Sequence, residues 1–150
     1  MNAISHSYTI QPLISTEGKL IGKLFLCLQE TTGKFGPNVL NDLFLPNNVF
    51  VTCSSSGKMS KELVKKFTLE IIKPVVKENF ILMLDSWSGH KNYDQYENMF
   101  NDLNCKLLVI PLKTTSLIQP ADVFVFLQWK YFAKKCTILL HLKRLTLICV

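Results

Sequence analysis

Two aspartates stand where this chain can do chemistry. Asp85 closes the apolar run Phe80–Leu84, so its side chain is expected at the carboxyl edge of a sheet, where open α/β folds hold their ligands. Asp122 comes after a second apolar run, residues 106–110, and falls in the first turn of an expected helix. A strand–helix–strand crossover returns the chain to the same edge and so brings the two carboxylates towards one another. Carboxylates gathered there form a hard-oxygen site suited to Mg²⁺ or Mn²⁺. Such ions activate water and stabilise the leaving oxygen when a phosphodiester is cut. The plainer reading is that aspartates are common at strand exits and that Asp122 complements a helix dipole. His90, a little after Asp85, is suited to touching a metal or phosphate, or is an ordinary polar loop residue. Trp87 is suited to stacking on a base, or to partial burial in the same loop.

Charge adds a second signal. Lys and Arg number 17 against 11 Asp and Glu, a net +6, and beyond Asp122 the chain carries Lys130, Lys134, Lys135, Lys143 and Arg144 with no acid among them. A stripe of this kind tracks a phosphate backbone, or is a solvated helix face. The five cysteines are widely spaced with no Cys-x-x-Cys, and the three histidines are scattered, which argues against a zinc site. Cysteines within apolar stretches act as small hydrophobes, in keeping with a reducing compartment. No apolar run reaches the ~18 residues of a membrane-crossing helix. Residues 1–10 lack the basic start and apolar centre of a secretion signal.

The elements that must position these residues follow from pattern. At 150 residues and 48% hydrophobic, the chain has room for one core. Residues 8–14 alternate and residues 20–28 are apolar, around Ser15-Thr16-Glu17-Gly18, which predicts a β-hairpin. Residues 30–48, rich in Gly, Pro and Asn, read as a loop, and residues 49–53 as a short third strand. From Lys61 the period changes. Leu63, Phe67, Ile71 and Val75 recur every four residues, widened by Val64 and Ile72. This predicts a helix capped by Ser60, supported by a Glu62–Lys66 pair, and kinked or ended by Pro74. Phe80–Leu84 and residues 106–110 read as strands buried on both faces. Between them runs a helix capped by Asn92, with Tyr96, Met99, Phe100 and Leu103 on one face, so the two strands are expected to pair in parallel. Pro120 opens a helix that runs to about Lys135. Residues 137–150 are rich in Leu and Ile, with neither clean alternation nor a helical face. The whole is expected to be one α/β unit.

The runs ILMLDSWSGH (residues 81–90) and VIPLKTTSLIQPAD (residues 109–122), followed by Gln128-Trp129-Lys130, resemble the catalytic core of DDE-superfamily transposases of the pogo and jerky-like branch. The family pattern is strand-Asp-Asn-x-x-x-His, then Pro-Pro-Asn-Thr-Thr-Ser-Leu-x-Gln-Pro-x-Asp. Asp85 and His90 match it, as do Pro111, Thr114, Thr115, Ser116, Leu117, Gln119, Pro120 and Asp122. Ser86 stands in place of the common Asn, and Leu112 and Lys113 in place of Pro-Asn.

The resemblance implies a ribonuclease-H-like α/β fold, a mixed sheet with flanking helices. It implies Mg²⁺- or Mn²⁺-dependent cleavage and strand transfer of DNA, with Asp85 and Asp122 as the second and third carboxylates of a metal triad. His90, Lys130, Lys134 and Lys135 are then expected to contact nucleic acid, in a nuclear protein with no membrane partner and no small-molecule cofactor. The family's first triad aspartate lies on a strand ahead of the hairpin, and that strand is central in its sheet. Residues 1–7 carry no acid, and the first one, Glu17, falls in a turn. The expectation is therefore a single partial domain over residues 1–150, family-like over about 7–135 and divergent over 137–150, that lacks the central strand and does not cut DNA. The alternatives are a non-catalytic remnant that binds DNA or protein, and an unstable translated fragment.

Overall fold

A computed structural model describes residues 7–90, 94–100, 105–111 and Tyr131. Strand β1 (Tyr8–Gln11) pairs antiparallel with β2 (Leu24–Gln29), in the register Tyr8↔Leu28 to Gln11↔Phe25. The two arms meet again at an Ile14↔Leu20 bridge, closed by a turn in which the Gly18 N–H donates to the Ser15 carbonyl. The predicted hairpin therefore forms, but with shorter strands. Pro12 has no N–H to give to the ladder, and Gly22 lies in the left-handed region at φ +65°. Helix α1 (Pro37–Asp42) occupies part of the stretch expected to be a loop. Its proline stands at the start of the helix, where the missing N–H costs nothing. It delivers the chain to β3 (Val49–Ser54), which pairs parallel to β2.

Helix α2 (Lys61–Phe67) begins at Ser60, whose hydroxyl accepts from the Leu63 N–H as expected. It then widens into a π turn over Thr68–Ile72, in which the Lys73 N–H reaches back five residues to the Thr68 carbonyl. The sequence explains the widening. A column that repeats every four residues drifts by about 40° per repeat on an α-helix of 3.6 residues per turn. The wider turn takes up that drift and keeps both columns, Leu63/Phe67/Ile71 and Val64/Thr68/Ile72, in the core, where all six are buried. The buried Thr68 hydroxyl is satisfied by the Val64 carbonyl at 2.9 Å. Two helical expectations are corrected. Val75 lies in a turn beyond the π segment. Glu62 accepts from the Ser60 hydroxyl, and Lys66 donates to Thr52 on β3 at 3.0 Å instead of pairing with Glu62.

Strand β4 (Phe80–Leu84) pairs parallel with β5 (Cys105–Val109), from Phe80↔Cys105 to Leu84↔Val109, as expected for a crossover. Helix α3 (Asp94–Met99) lies on the connection; Asn92 and Leu103 fall outside the described residues. The expectation of burial on both faces is corrected. Leu82 and Leu84 point into the core, while Ile81, Met83 and Leu108 are exposed. One face is covered by the helices and, among the described residues, the other is not.

Among the described residues the architecture is mixed α/β in two ladders, β1-β2-β3 and β4-β5. Side chains join them. Phe25 stacks on Phe50 and meets Phe67 edge-on, Phe80 meets Phe100 edge-on, and Leu82, Leu84 and Tyr96 complete one buried cluster with Phe25 and Cys27. A cavity of about 410 Å³ is lined by Gln11 and the turn after β1 on one strand edge, by β4 on the other, and by Phe67 and Ile72 of the helical segment. The helix expected over residues 121–135 and residues 137–150 lie outside the described residues, apart from the single helical residue Tyr131.

Candidate functional site

Asp85 is the first residue beyond β4, half-buried at the carboxyl end of the parallel pair and on the lining of the cavity. The chain then doubles back. A short 3-10 turn, Ser88–His90, is closed by the His90 N–H donating to the Trp87 carbonyl at 3.0 Å. This returns the His90 ring to Asp85, with Nε2 3.2 Å from Oδ1. The Trp87 N–H approaches the same oxygen at 3.4 Å, and the Trp87 ring meets the imidazole edge-on at 5.2 Å. On its far side, His90 Nδ1 lies 2.9 Å from the Tyr96 hydroxyl, presented by α3.

His90 is therefore not an outward-facing loop histidine: its side chain is 12% exposed. Burial pushes its pKa below the ordinary 6.5, opposed by the neighbouring Asp85 carboxylate. Burial thus favours the uncharged ring, in which the contact with Asp85 is a hydrogen bond. Tyr96 was legible only as one member of an apolar helix face. The usable signal was that a buried tyrosine needs a partner for its hydroxyl, and a histidine stands six positions earlier.

Asp85 is a hard-oxygen donor in a half-exposed position and so suits a divalent cation in kind. Among the described residues no contact is made to its second oxygen, and no group of three or more His, Cys, Asp or Glu side chains is gathered to hold a metal. Asp122, Lys130, Lys134 and Lys135 lie outside the described residues. Glu17 is tied to Lys19 at 2.9 Å in the hairpin turn. Cys27 and Cys53 are free thiols.

The family pattern of the DDE superfamily endonucleases matches residues 30–144, and so takes in β4, Asp85, His90 and β5. The chain belongs to that family. Its members generally use divalent metals, and Asp85 at the end of β4 lies within the matched span. No curated protein and no solved structure matches the chain. No helix among the described residues is long and apolar enough to cross a membrane.

Proposed function

We propose that this DDE superfamily chain is a nucleic-acid-binding, transposase-derived domain of ribonuclease-H-like fold, a single partial domain over residues 1–150 that binds DNA in the nucleus. One observation carries the reading: the family match over residues 30–144 coincides with Asp85 at the carboxyl end of a parallel strand pair. Asp85 and Asp122 would hold Mg²⁺ or Mn²⁺. When bound, the ion supplies an activated water and neutralises charge on the leaving oxygen. The chain's own residues do the rest. Asp85 is held by His90 and the Trp87 N–H, and Lys130, Lys134 and Lys135 bind the phosphate backbone. Fluorescence titration with duplex DNA is expected to give weak, sequence-independent binding that falls steeply between low and moderate salt. A Lys130/Lys134/Lys135→Ala variant should bind more weakly, with a shallower salt slope; equal binding by both would reject the assignment.

A second reading concerns catalysis. The family's first triad carboxylate has no counterpart in residues 1–7, which carry no acid, and Glu17 is tied to Lys19 in the hairpin turn, whereas two-metal phosphoryl transfer needs ligands holding both ions ~3.5–4 Å apart. On this reading the 150-residue chain binds nucleic acid and does not cut it. Mg²⁺-dependent nicking by the purified chain, lost in Asp85→Ala, would overturn this.

A further inference from the structure

We infer that Tyr96 is a positioning residue: its hydroxyl holds the His90 ring and, through that ring, the orientation of the Asp85 carboxylate. The inference rests on the metal-holding role proposed for Asp85, and the geometry leads to it in three steps.

An ionised carboxylate only accepts hydrogen bonds. For His90 Nε2 to lie 3.2 Å from Asp85 Oδ1 as a bonded contact, Nε2 must therefore carry the hydrogen. A neutral imidazole has one N–H, so Nδ1 then presents a lone pair. The Tyr96 hydroxyl, 2.9 Å away, donates to it. The opposite tautomer would aim two lone pairs at each other across the Asp85 contact. Tyr96 is 1% exposed and held in the core cluster by α3, so its hydroxyl is a fixed reference point rather than a surface group. His90 has little freedom to turn away, with Trp87 edge-on against its ring and the Trp87 carbonyl on its N–H. Rigid core, tyrosine hydroxyl, imidazole and carboxylate form one line of support ending on a single oxygen of Asp85. Groups that hold a metal-binding side chain this way, when removed, cost about 10–100-fold in metal affinity.

The experiment uses the full chain, its Tyr96→Phe variant and Asp85→Ala. Nitrogen NMR of the imidazoles, with the His90 signals assigned by their loss in His90→Gln, is expected to show the Nε2–H tautomer with a hydrogen-bonded Nδ1 in the parent, and the same tautomer with the Nδ1 signal displaced by loss of that bond in Tyr96→Phe. An Nδ1–H tautomer in the parent, or an unchanged ring in Tyr96→Phe, would overturn the inference. The parent measurement stands even if Tyr96→Phe fails to fold. Mn²⁺ alone is then titrated by its electron paramagnetic resonance signal, with an expected loss of about 10-fold on Tyr96→Phe. Equal Mn²⁺ affinity in the parent and Tyr96→Phe, with weakening in Asp85→Ala, would refute positioning. Equal affinity in the parent and Asp85→Ala would instead remove the metal role of Asp85 and leave the tautomer result to decide on Tyr96.

Discussion

His90 is more basic in the unfolded chain than in the folded one, because burial disfavours the imidazolium by more than Asp85 favours it. The sign of the resulting linkage is fixed. The unfolded state takes up the proton first, so the stability from a neutral, bonded His90 is complete above the ordinary value of 6.5 and is lost as pH falls through it towards the lower folded value. Urea midpoints measured between about pH 7.5 and 5.5 should fall in the parent and fall less in His90→Gln. Little of this was legible from residue type and spacing alone. Asp85 could be placed, because a buried apolar run that stops at an aspartate has few meanings. His90 could not, because a turn of three residues decides whether such a ring faces solvent or returns to the strand end, and that turn carries no hydrophobic period. Asp122, Lys130, Lys134 and Lys135 lie outside the described residues.

At the scale of the element, the helical segment shows how far a period can be read. Its repeat of four residues was visible from Leu63 to Ile71, and that repeat is the reason for the π turn; reading it as an ordinary helix carried the prediction one turn too far, to Val75. Its start was fixed by local chemistry. Ser60→Ala should lower stability by about 0.5–2 kcal/mol, the usual worth of an N-cap hydroxyl, measurable as a shift in urea midpoint without a change in slope. Gly22 is the corresponding constraint on the hairpin. Its φ of +65° and a Val75 methyl 2.9 Å from where a Cβ would sit leave no room for a side chain. Gly22→Ala should therefore destabilise by more than the ~1 kcal/mol of an ordinary glycine exchange. On β4, the apolar run predicted a strand correctly and its burial wrongly. Composition records that Ile81 and Met83 are apolar, not that a neighbour covers them. Leu82→Ala, on the covered face, should cost about 2–5 kcal/mol, whereas Ile81→Thr on the exposed face should cost little; thermal melts of the two variants decide.

At the scale of the molecule, the β1–β2 hairpin and the β4–β5 crossover were legible, while the parallel pairing of β3 with β2 and the relation between ladders were not. A hairpin and a crossover are local units joined by short connections, whereas the spacing between two sheets depends on what lies between them. Here that is a cavity lined by β1 and β4, bridged below by Phe67 and Ile72. The separation of the ladders has a consequence for how the protein opens. Among the described residues no strand pairing runs from β1-β2-β3 to β4-β5, and the two ladders meet through side chains such as Phe25, Phe67 and Leu82, which can loosen without tearing a strand from its partner. Amide hydrogens should therefore exchange in two blocks with different protection, the longer ladder around Phe25 and Cys27 outlasting the five-residue pairing of β4 with β5. A cation captured at Asp85 would slow exchange in the second block and leave the first at its own pace, so one end of the molecule can be clamped while the other continues to breathe.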